Sequence, residues 1–442
     1  MPIAPELFRN IKDRPYSFIL DSSWVDGRLG RWSFLGSDPF LVFKSKRGSI
    51  HLQWKDGRAQ SFRANPFAVL KDIFSSFKTP RRQTEIPFVS GGVGYFAYDL
   101  KDSIEDSNDK AADDLNLPDC VMGFYDTVVA VDNLKEGVYS SGSDLKHSPY
   151  SSWGLGSNFT KESYMRMIKR AKRCIKKGDI YQVNLSHRFE AAFEGDPFEL
   201  YSNLRVISPA PFSSYLNFGD AVILSSSPER FLKIDDGRIE TRPIKGTRPR
   251  GGDIVEDSRL AQELIASPKD RAEHVMIVDL ERNDLGRICE YGTVRPTEFI
   301  TLEKYSNVFH LVSAVSGRLR EDATPIDCLL AAFPGGSVTG APKIRSMEII
   351  EELEPVKRSI YTGAIGYIDF SGAMDTSIVI RTFILKDKKL YFQVGGGIVA
   401  DSDPEAEYQE TLDKARGLME SLHEGVDKQQ GNRLEKREGI RI

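Results

Sequence analysis

The 442-residue chain is poor in cysteine, histidine and tryptophan, with four, six and four of each. Cys120, Cys174, Cys289 and Cys328 lie far apart and form no C-x-x-C pair. That argues against a disulfide framework or a cysteine-bound zinc and fits the reduced thiols of a cytoplasmic protein. No apolar stretch approaches the ~20 residues a membrane span needs. The start MPIAPELFRNIKDRPYSF lacks the charged-then-apolar order of a secretory signal. An excess of charge of one sign is missing as well. Sixty Lys and Arg stand against 64 Asp and Glu, for a net charge of −4. The two signs are interspersed, which removes the usual basis for binding nucleic acid or an anionic membrane. Internal repeats and long low-complexity segments are also absent. What is present is 40% apolar and 28% charged residues, the composition of a globular protein. The length suffices for one large domain or two to three smaller ones.

Periodicity divides the chain near residue 150. Through residue 75 the runs FILDSS, RWSFLGSDPFLVFKS and SIHLQWKDGRAQSF alternate as strands, and NPFAVLKDIFSSF at 65–77 has helical spacing. The polar stretch 101–118 reads as a surface loop, CVMGFYDTVVAVDN as a strand, and the Ser/Gly-rich 140–157 as a linker. Beyond it, KESYMRMIKRAKRCIKKGD predicts an amphipathic helix ending at Gly178, and IYQVNLSHRFEAAF a strand. SRLAQELIASPKDRAEHVMIVDLERNDLGRI is mostly helical. Three strand-like runs follow (YTGAIGYIDFSG, MDTSIVIRTFILKD and KLYFQVGGGIVAD), and a long helix over PEAEYQETLDKARGLMESLHEGV closes the pattern. Segregated strands and long helices predict α+β layers. The expected division is a strand-rich portion at 1–145, a catalytic portion at 158–425 and a charged tail at 426–442.

Two features carry chemistry. Lys245 stands in PIKGTR, between Pro243-Ile244 and Gly246-Thr247. Glycine beside it lets backbone approach a ligand, and a lysine confined in such a turn can lose its proton and act as a nucleophile. On the turn alone, a loop lysine capping a carbonyl is the simpler reading. The second feature is a pair of acidic helices. Asp270 and Glu273 in PKDRAEH, and Glu407 and Glu410 in EAEYQE, are each three apart, so each pair shares one helix face. Either pair alone suits a solvated face. Facing each other, they would make an all-oxygen site suited to Mg²⁺. The glycine-rich VGGGIVADSDP before Glu407 offers bare backbone N–H groups to an anion.

Taken together, DIYQVNLSHRF, SSSPERFL, TRPIKGTRPRG, KDRAEHVMIVDLERNDLGRI, HLVSAVSGRL, PGGSVTGAPKIRSMEIIEELEP, YTGAIGYIDFSG, IVIRTF and GGGIVADSDPEAEYQETLDKA cover most of 160–425. In these runs the chain resembles the chorismate-utilising enzymes, the family of the anthranilate synthase large component. The N-terminal third matches more loosely. The resemblance implies an anthranilate-synthase-like α+β fold, with large antiparallel sheets in a layered sandwich and helices packed outside. It also implies Mg²⁺ bound to the ring carboxylate of chorismate.

Three positions point within the family to the branch that makes 4-amino-4-deoxychorismate. Lys245 takes the place where anthranilate and isochorismate synthases usually carry alanine. Gln182 stands where the water-adding members place a lysine base. NLS at 184–186 and SPAPFSSY at 208–215 look like that branch. The implied roles follow residue by residue. Lys245 is the covalent nucleophile and Glu229 the general acid, against the plainer reading of Glu229 as an ion-pair partner of Arg230 or Arg242. Glu273 and Glu410 ligate the metal, with Asp270 and Glu407 supporting through water. Arg381 and Tyr361 hold the side-chain carboxylate. Gly395, Gly396, Gly397 and Lys414 surround the ring carboxylate, and Thr247, His310 and Ser337 contact substrate. Of the other histidines, His274 is the next candidate.

No cysteine lies in a glutaminase-like elbow, so the resemblance implies ammonia from a separate glutamine amidotransferase subunit. Ser22, Pro211, Phe212 and Ser213 correspond to the family's tryptophan pocket. Anthranilate formation is the alternative activity. A non-catalytic chorismate-binding subunit is a third reading, which the full set of carboxylates with Lys245 disfavours.

Overall fold

The computed structural model describes residues 3–25, 29–81, 84–105, 110–134, 150–305 and 308–423. Two large antiparallel sheets, one of ten strands and one of twelve, form its frame. Their inward faces meet in a core that takes Phe18, Phe34, Leu216 and Ile223 from the ten-stranded sheet and Tyr95, Val121, Ile365 and Tyr367 from the other. Phe88 stacks on Tyr367 with centroids 4.5 Å apart, and Phe18 meets Tyr125 edge-on at 4.8 Å. Burying such a side chain is worth ~1.5–3 kcal/mol. Helices cover both outer faces. Pro197–Ile207 and Pro404–Ser421 lie on the ten-stranded sheet through Phe198, Leu204, Ala415 and Leu418. Pro66–Ser76, Pro268–Gly286 and Pro325–Ala332 lie on the twelve-stranded sheet. The α+β sandwich with outside helices is the expected one.

Strands from the two ends of the chain interleave. In the ten-stranded sheet, Phe18–Asp21 pairs with Phe212–Asn217; in the other, Gly91–Phe96 pairs with Ala364–Asp369. The N-terminal strands therefore complete both sheets.

Local signals explain the helix limits. Thr160 caps Lys161–Lys177 by accepting the Ser163 N–H, and Gly178 ends it in the left-handed region. Asp403 accepts from Glu405 and Ala406 at the start of Pro404–Ser421 and so fixes the helix that carries Glu407 and Glu410.

Four expectations are corrected. CVMGFYDTVVAVDN is two strands, Cys120–Tyr125 in the twelve-stranded sheet and Val129–Asp132 in the ten-stranded one, because the chain crosses between the sheets at 126–128. Residues 150–157 form an edge strand paired with Gln182–Gly195, because their backbone completes a sheet despite the Ser/Gly composition; 140–149 lie outside the described residues, as does the tail from 424. Within 101–118, Leu115 and Leu117 are buried in the core between the sheets, so this stretch is anchored by apolar contacts. MDTSIVIRTFILKD is two strands. Met374–Ile378 belongs to the twelve-stranded sheet and Thr382–Lys386 to the ten-stranded one, and the chain crosses between them through Arg381 at φ +50°.

Candidate functional site

The cavity lies where the two sheets and the two acidic helices converge. Its volume is about 590 Å³. The strand Ile244–Pro249 pairs with Val308–Arg318, and the register slips by one residue between Ile244 and Thr247. This bulge replaces the expected plain turn and carries Lys245 to the cavity wall. Gly246 beside it has φ +81°, and a Cβ there would press on Leu264 and Asp270.

Across the cavity runs the glycine strand. A Cβ at Gly397 would lie 2.9 Å from Lys245 Nζ and 3.0 Å from Gln182 Nε2, so glycine here makes room for the lysine. At Gly395 the obstacle would be Leu185 O at 2.6 Å. Lys414 donates to the Gly395 carbonyl at 3.0 Å. Gly396 is not among the cavity-lining residues; it faces Glu407 and Glu410 instead.

Burial lowers the Lys245 amine from its ordinary range, opposed chiefly by the charge of Glu273. The surrounding carboxylates take other cations. Lys414 meets Glu410 at 2.8 Å, and Lys269 reaches Glu407 at 3.6 Å and Glu273 at 4.0 Å. Arg248 holds Asp270 at 3.1 Å. Lys245 joins no ion pair among the described residues.

Glu229 is buried and accepts the Ser337 hydroxyl at 2.6 Å and the Ile244 N–H at 3.3 Å. Burial pushes its carboxyl up to about 7. The arginines that could have paired with it go elsewhere: Arg230 to Asp375 and Glu240, Arg242 to Glu298 and Glu303. A carboxyl shifted in this direction can hold its proton near neutral pH, the property a general acid needs.

On the same strand as Lys245, the Thr247 hydroxyl meets His310 Nδ1 at 2.9 Å, and Arg381 Nη2 approaches His310 Nε2 at 3.4 Å. Arginine can only donate, so Nε2 accepts and the ring proton sits on Nδ1. Burial, with the charge of Arg381 next, holds the imidazole far below its usual range, hence neutral. Tyr361 also lines the cavity, and burial raises its phenol.

All four helix carboxylates line the cavity. Burial raises Glu273 and Glu407, whereas Lys414 holds Glu410 below its ordinary value. Among the described residues, no three His, Cys, Asp or Glu side chains close on a common point as a ready-made metal cluster. Mg²⁺ commonly takes only one or two carboxylates and keeps waters and substrate oxygens. An all-oxygen donor set on two facing helices, now neutralised by Lys269 and Lys414, fits that habit.

Several contributors escaped the sequence reading. Lys269 bridges the two acidic helices, and Tyr305 meets His310 edge-on at 5.3 Å. Gln182 and Asn184 were singled out in the sequence, but not for their bonding: among the described residues Asn184 lines the cavity with its Oδ1 unpartnered, and both polar atoms of buried Gln182 lack partners as well. Such orphaned groups are costly unless a ligand satisfies them. His274 is not at the cavity; buried behind the Lys245 bulge, it bonds Ser313 Oγ at 2.6 Å.

Ser22, Pro211, Phe212 and Ser213 lie outside this cavity. Ser213 shares a hydrogen bond with Ser23 at 2.9 Å, and Phe212 lies under the Arg230 guanidinium at 5.1 Å. Nearby, Asp21 is buried against Arg205 at 2.8 Å.

This fold and site define a class: a cation-rich cavity with a shielded acid and facing carboxylates, framed by two antiparallel sheets. The family model for chorismate binding enzymes matches residues 22–420. The chain belongs to that family. It is 45% identical over 437 residues to aminodeoxychorismate synthase component 1 of Salmonella typhimurium, covering 95% of this chain and 96% of that one. Anthranilate synthase component 1 of Acetivibrio thermocellus is 39% identical over 455 residues, covering 95% and 92%. The crystal structure of anthranilate synthase component I from Streptococcus pneumoniae superposes with a TM-score of 0.77 at 34% identity, covering 89% of this chain and 93% of that one.

Proposed function

We propose that the chain is the synthase component of a cytoplasmic aminodeoxychorismate synthase, converting chorismate and ammonia to 4-amino-4-deoxychorismate. The observation that carries this reading is Lys245, held at the cavity wall with its amine shifted toward the neutral form and free of ion pairs among the described residues. A neutral amine there can attack C2 of chorismate while the diene shifts and the 4-hydroxyl departs with the Glu229 proton. Ammonia then adds at C4 and expels the Lys245 amine. One hindered displacement becomes two easier ones.

Arg381 and Tyr361 would receive the side-chain carboxylate, with neutral His310 orienting the Arg381 guanidinium, and Lys414 with the strand at Gly395–Gly397 would receive the ring carboxylate. Glu273 and Glu410 would hold Mg²⁺, with Asp270 and Glu407 through water. The ion would neutralise the ring carboxylate. Asn184 and Gln182 offer amides to the substrate or to ammonia. The ammonia would come from a separate glutamine amidotransferase subunit, in keeping with the "component 1" of the relatives' names. The product would serve 4-aminobenzoate and folate synthesis.

The deciding experiment incubates the purified chain with chorismate, Mg²⁺ and ammonium and identifies the product by mass. A 4-amino-4-deoxychorismate product supports the reading; anthranilate would transfer the chain to the tryptophan-pathway activity of its other relatives.

A further inference from the structure

Two segments supply the donors of Glu229. One is the turn Gly336–Val338, through the Ser337 hydroxyl at 2.6 Å; the other is the strand entering at Ile244, through its N–H at 3.3 Å. A second carboxyl lies behind both. Glu281, on the helix Pro268–Gly286, is 2% exposed and does not line the cavity. Its Oε1 accepts the Gly336 N–H at 3.2 Å and its Oε2 the Thr241 hydroxyl at 3.4 Å.

Gly336 immediately precedes Ser337, and Thr241 stands three residues before Ile244. The approach is close: a Cβ at Gly336 would lie 2.6 Å from Leu280 Cδ2 and 3.1 Å from Glu281 Oε1. Nearby, Lys343 is committed to Asp284 at 2.5 Å and to the Ala332 carbonyl at 2.8 Å. Burial and the charge of Asp284 push the Glu281 carboxyl up to about 8, so it acts here through hydrogen bonds.

We propose that Glu281 is a positioning residue for Glu229: by holding Gly336 and Thr241 it fixes the two segments whose donors grip the Glu229 carboxyl. The inference rests on Glu229 acting as the acid, as argued above. Removing the tether should loosen the acid without touching the groups that hold substrate, so kcat should fall while KM stays.

The test compares Glu281→Met, which keeps volume but accepts no strong hydrogen bond, with Glu281→Gln, which keeps an acceptor. Turnover is followed as loss of chorismate with ammonium and Mg²⁺, so the outcome is independent of which aminated product forms. Glu281→Met should lose about tenfold or more in kcat, with KM for chorismate within about twofold of the parent, and Glu281→Gln should recover kcat to within about threefold. A parent-like kcat in Glu281→Met, an equal loss in Glu281→Gln, or a loss confined to KM would overturn the proposal. If Glu281→Met does not fold, Thr241→Val is judged by the same split between kcat and KM. A crystal structure of the substituted protein gives a readout that needs no turnover. Ser337 Oγ should withdraw from Glu229, and an unmoved Ser337 would equally refute the tether.

Discussion

Two arginines, 23 positions apart, show how differently this molecule treats enclosed charge. Arg358, 1% exposed, is filled on every side. It makes paired hydrogen bonds to Glu354 at 2.9 and 2.7 Å and donates to the carbonyls of Val338 and Asn184 at 2.9 and 2.7 Å. The Tyr98 ring covers it at 4.8 Å. Arg381 lines the cavity, and the one described hydrogen bond of its guanidinium is the long contact to His310. Burial lowers its guanidinium, where the carboxylate of Glu354 raises that of Arg358 against burial. The first belongs to the frame, and the second lines the cavity, where the proposed function gives it a substrate carboxylate. The same contrast separates Lys343, committed to Asp284, from Lys245. Unfilled bonding capacity behind a closed wall marks the working surface.

The largest expected effect comes from breaking the contrast at Lys245. Lys245→Ala should cost on the order of 10²–10⁴-fold in 4-amino-4-deoxychorismate formation. Thermal stability should change little, because Lys245 joins no described ion pair. Without ammonia, the parent protein should show a chorismate adduct on Lys245 by intact mass and peptide mapping. Normal rates of the same product from Lys245→Ala would make the lysine structural.

The arginine pair should separate stability from binding. Arg358→Met strands the buried Glu354 and should destabilise the fold by about 3–5 kcal/mol in urea unfolding. Arg381→Met should leave the unfolding midpoint nearly unchanged and raise KM for chorismate about 10- to 100-fold, the loss of a charged hydrogen bond worth ~1.5–3 kcal/mol. If Arg381→Met unfolds as readily as Arg358→Met, the distinction fails.

The acidic helices sharpen the comparison at the proposed Mg²⁺ site. Equal spacing gives opposite titration: Lys414 keeps Glu410 ionised, and burial raises Glu273 and Glu407. Glu410→Gln should therefore lower activity by tenfold or more at modest Mg²⁺. EDTA should abolish turnover of the parent, and Mg²⁺ should restore it. Turnover indifferent to EDTA would dismiss the ion.

The last comparison concerns pH. The Glu229 carboxyl titrates near 7 in the fold against 4.5 when unperturbed. The folded chain therefore binds the extra proton between those values, and this group's contribution to stability is full below 4.5 and declines as pH rises through about 7. At about 1.4 kcal/mol per unit the swing is on the order of 3 kcal/mol. Glu229→Gln should remove that slope in unfolding measured from pH 5 to 8, together with the alkaline fall of kcat expected of a general acid. A slope that persists in Glu229→Gln would assign it to another group.

Much of the frame was legible in the sequence because it rests on local chemistry. Alternation gave the strands, and Thr160, Asp403 and Gly178 set helix limits through their own side chains or lack of one. Composition misled at 150–157, where pairing with a distant strand outweighs local preference. The run 374–386 concealed its break because Arg381 carries no glycine or proline signal at its positive φ.

By itself, the sequence determined the α+β class, the helix-spaced carboxylate pairs and the family to which Lys245 and Glu229 belong. Helix spacing decides which residues share a face, and motifs preserve residue types. Tertiary structure alone decided what those residues are able to do. It sent Arg230 and Arg242 to other acids and left Glu229 protonatable. It placed Lys269 between two helices distant in sequence, left the Gln182 amide and Asn184 Oδ1 without partners among the described residues, and set Glu281 behind the acid. Titration and hydrogen bonding depend on burial and on neighbours brought from far along the chain, and no local pattern encodes either.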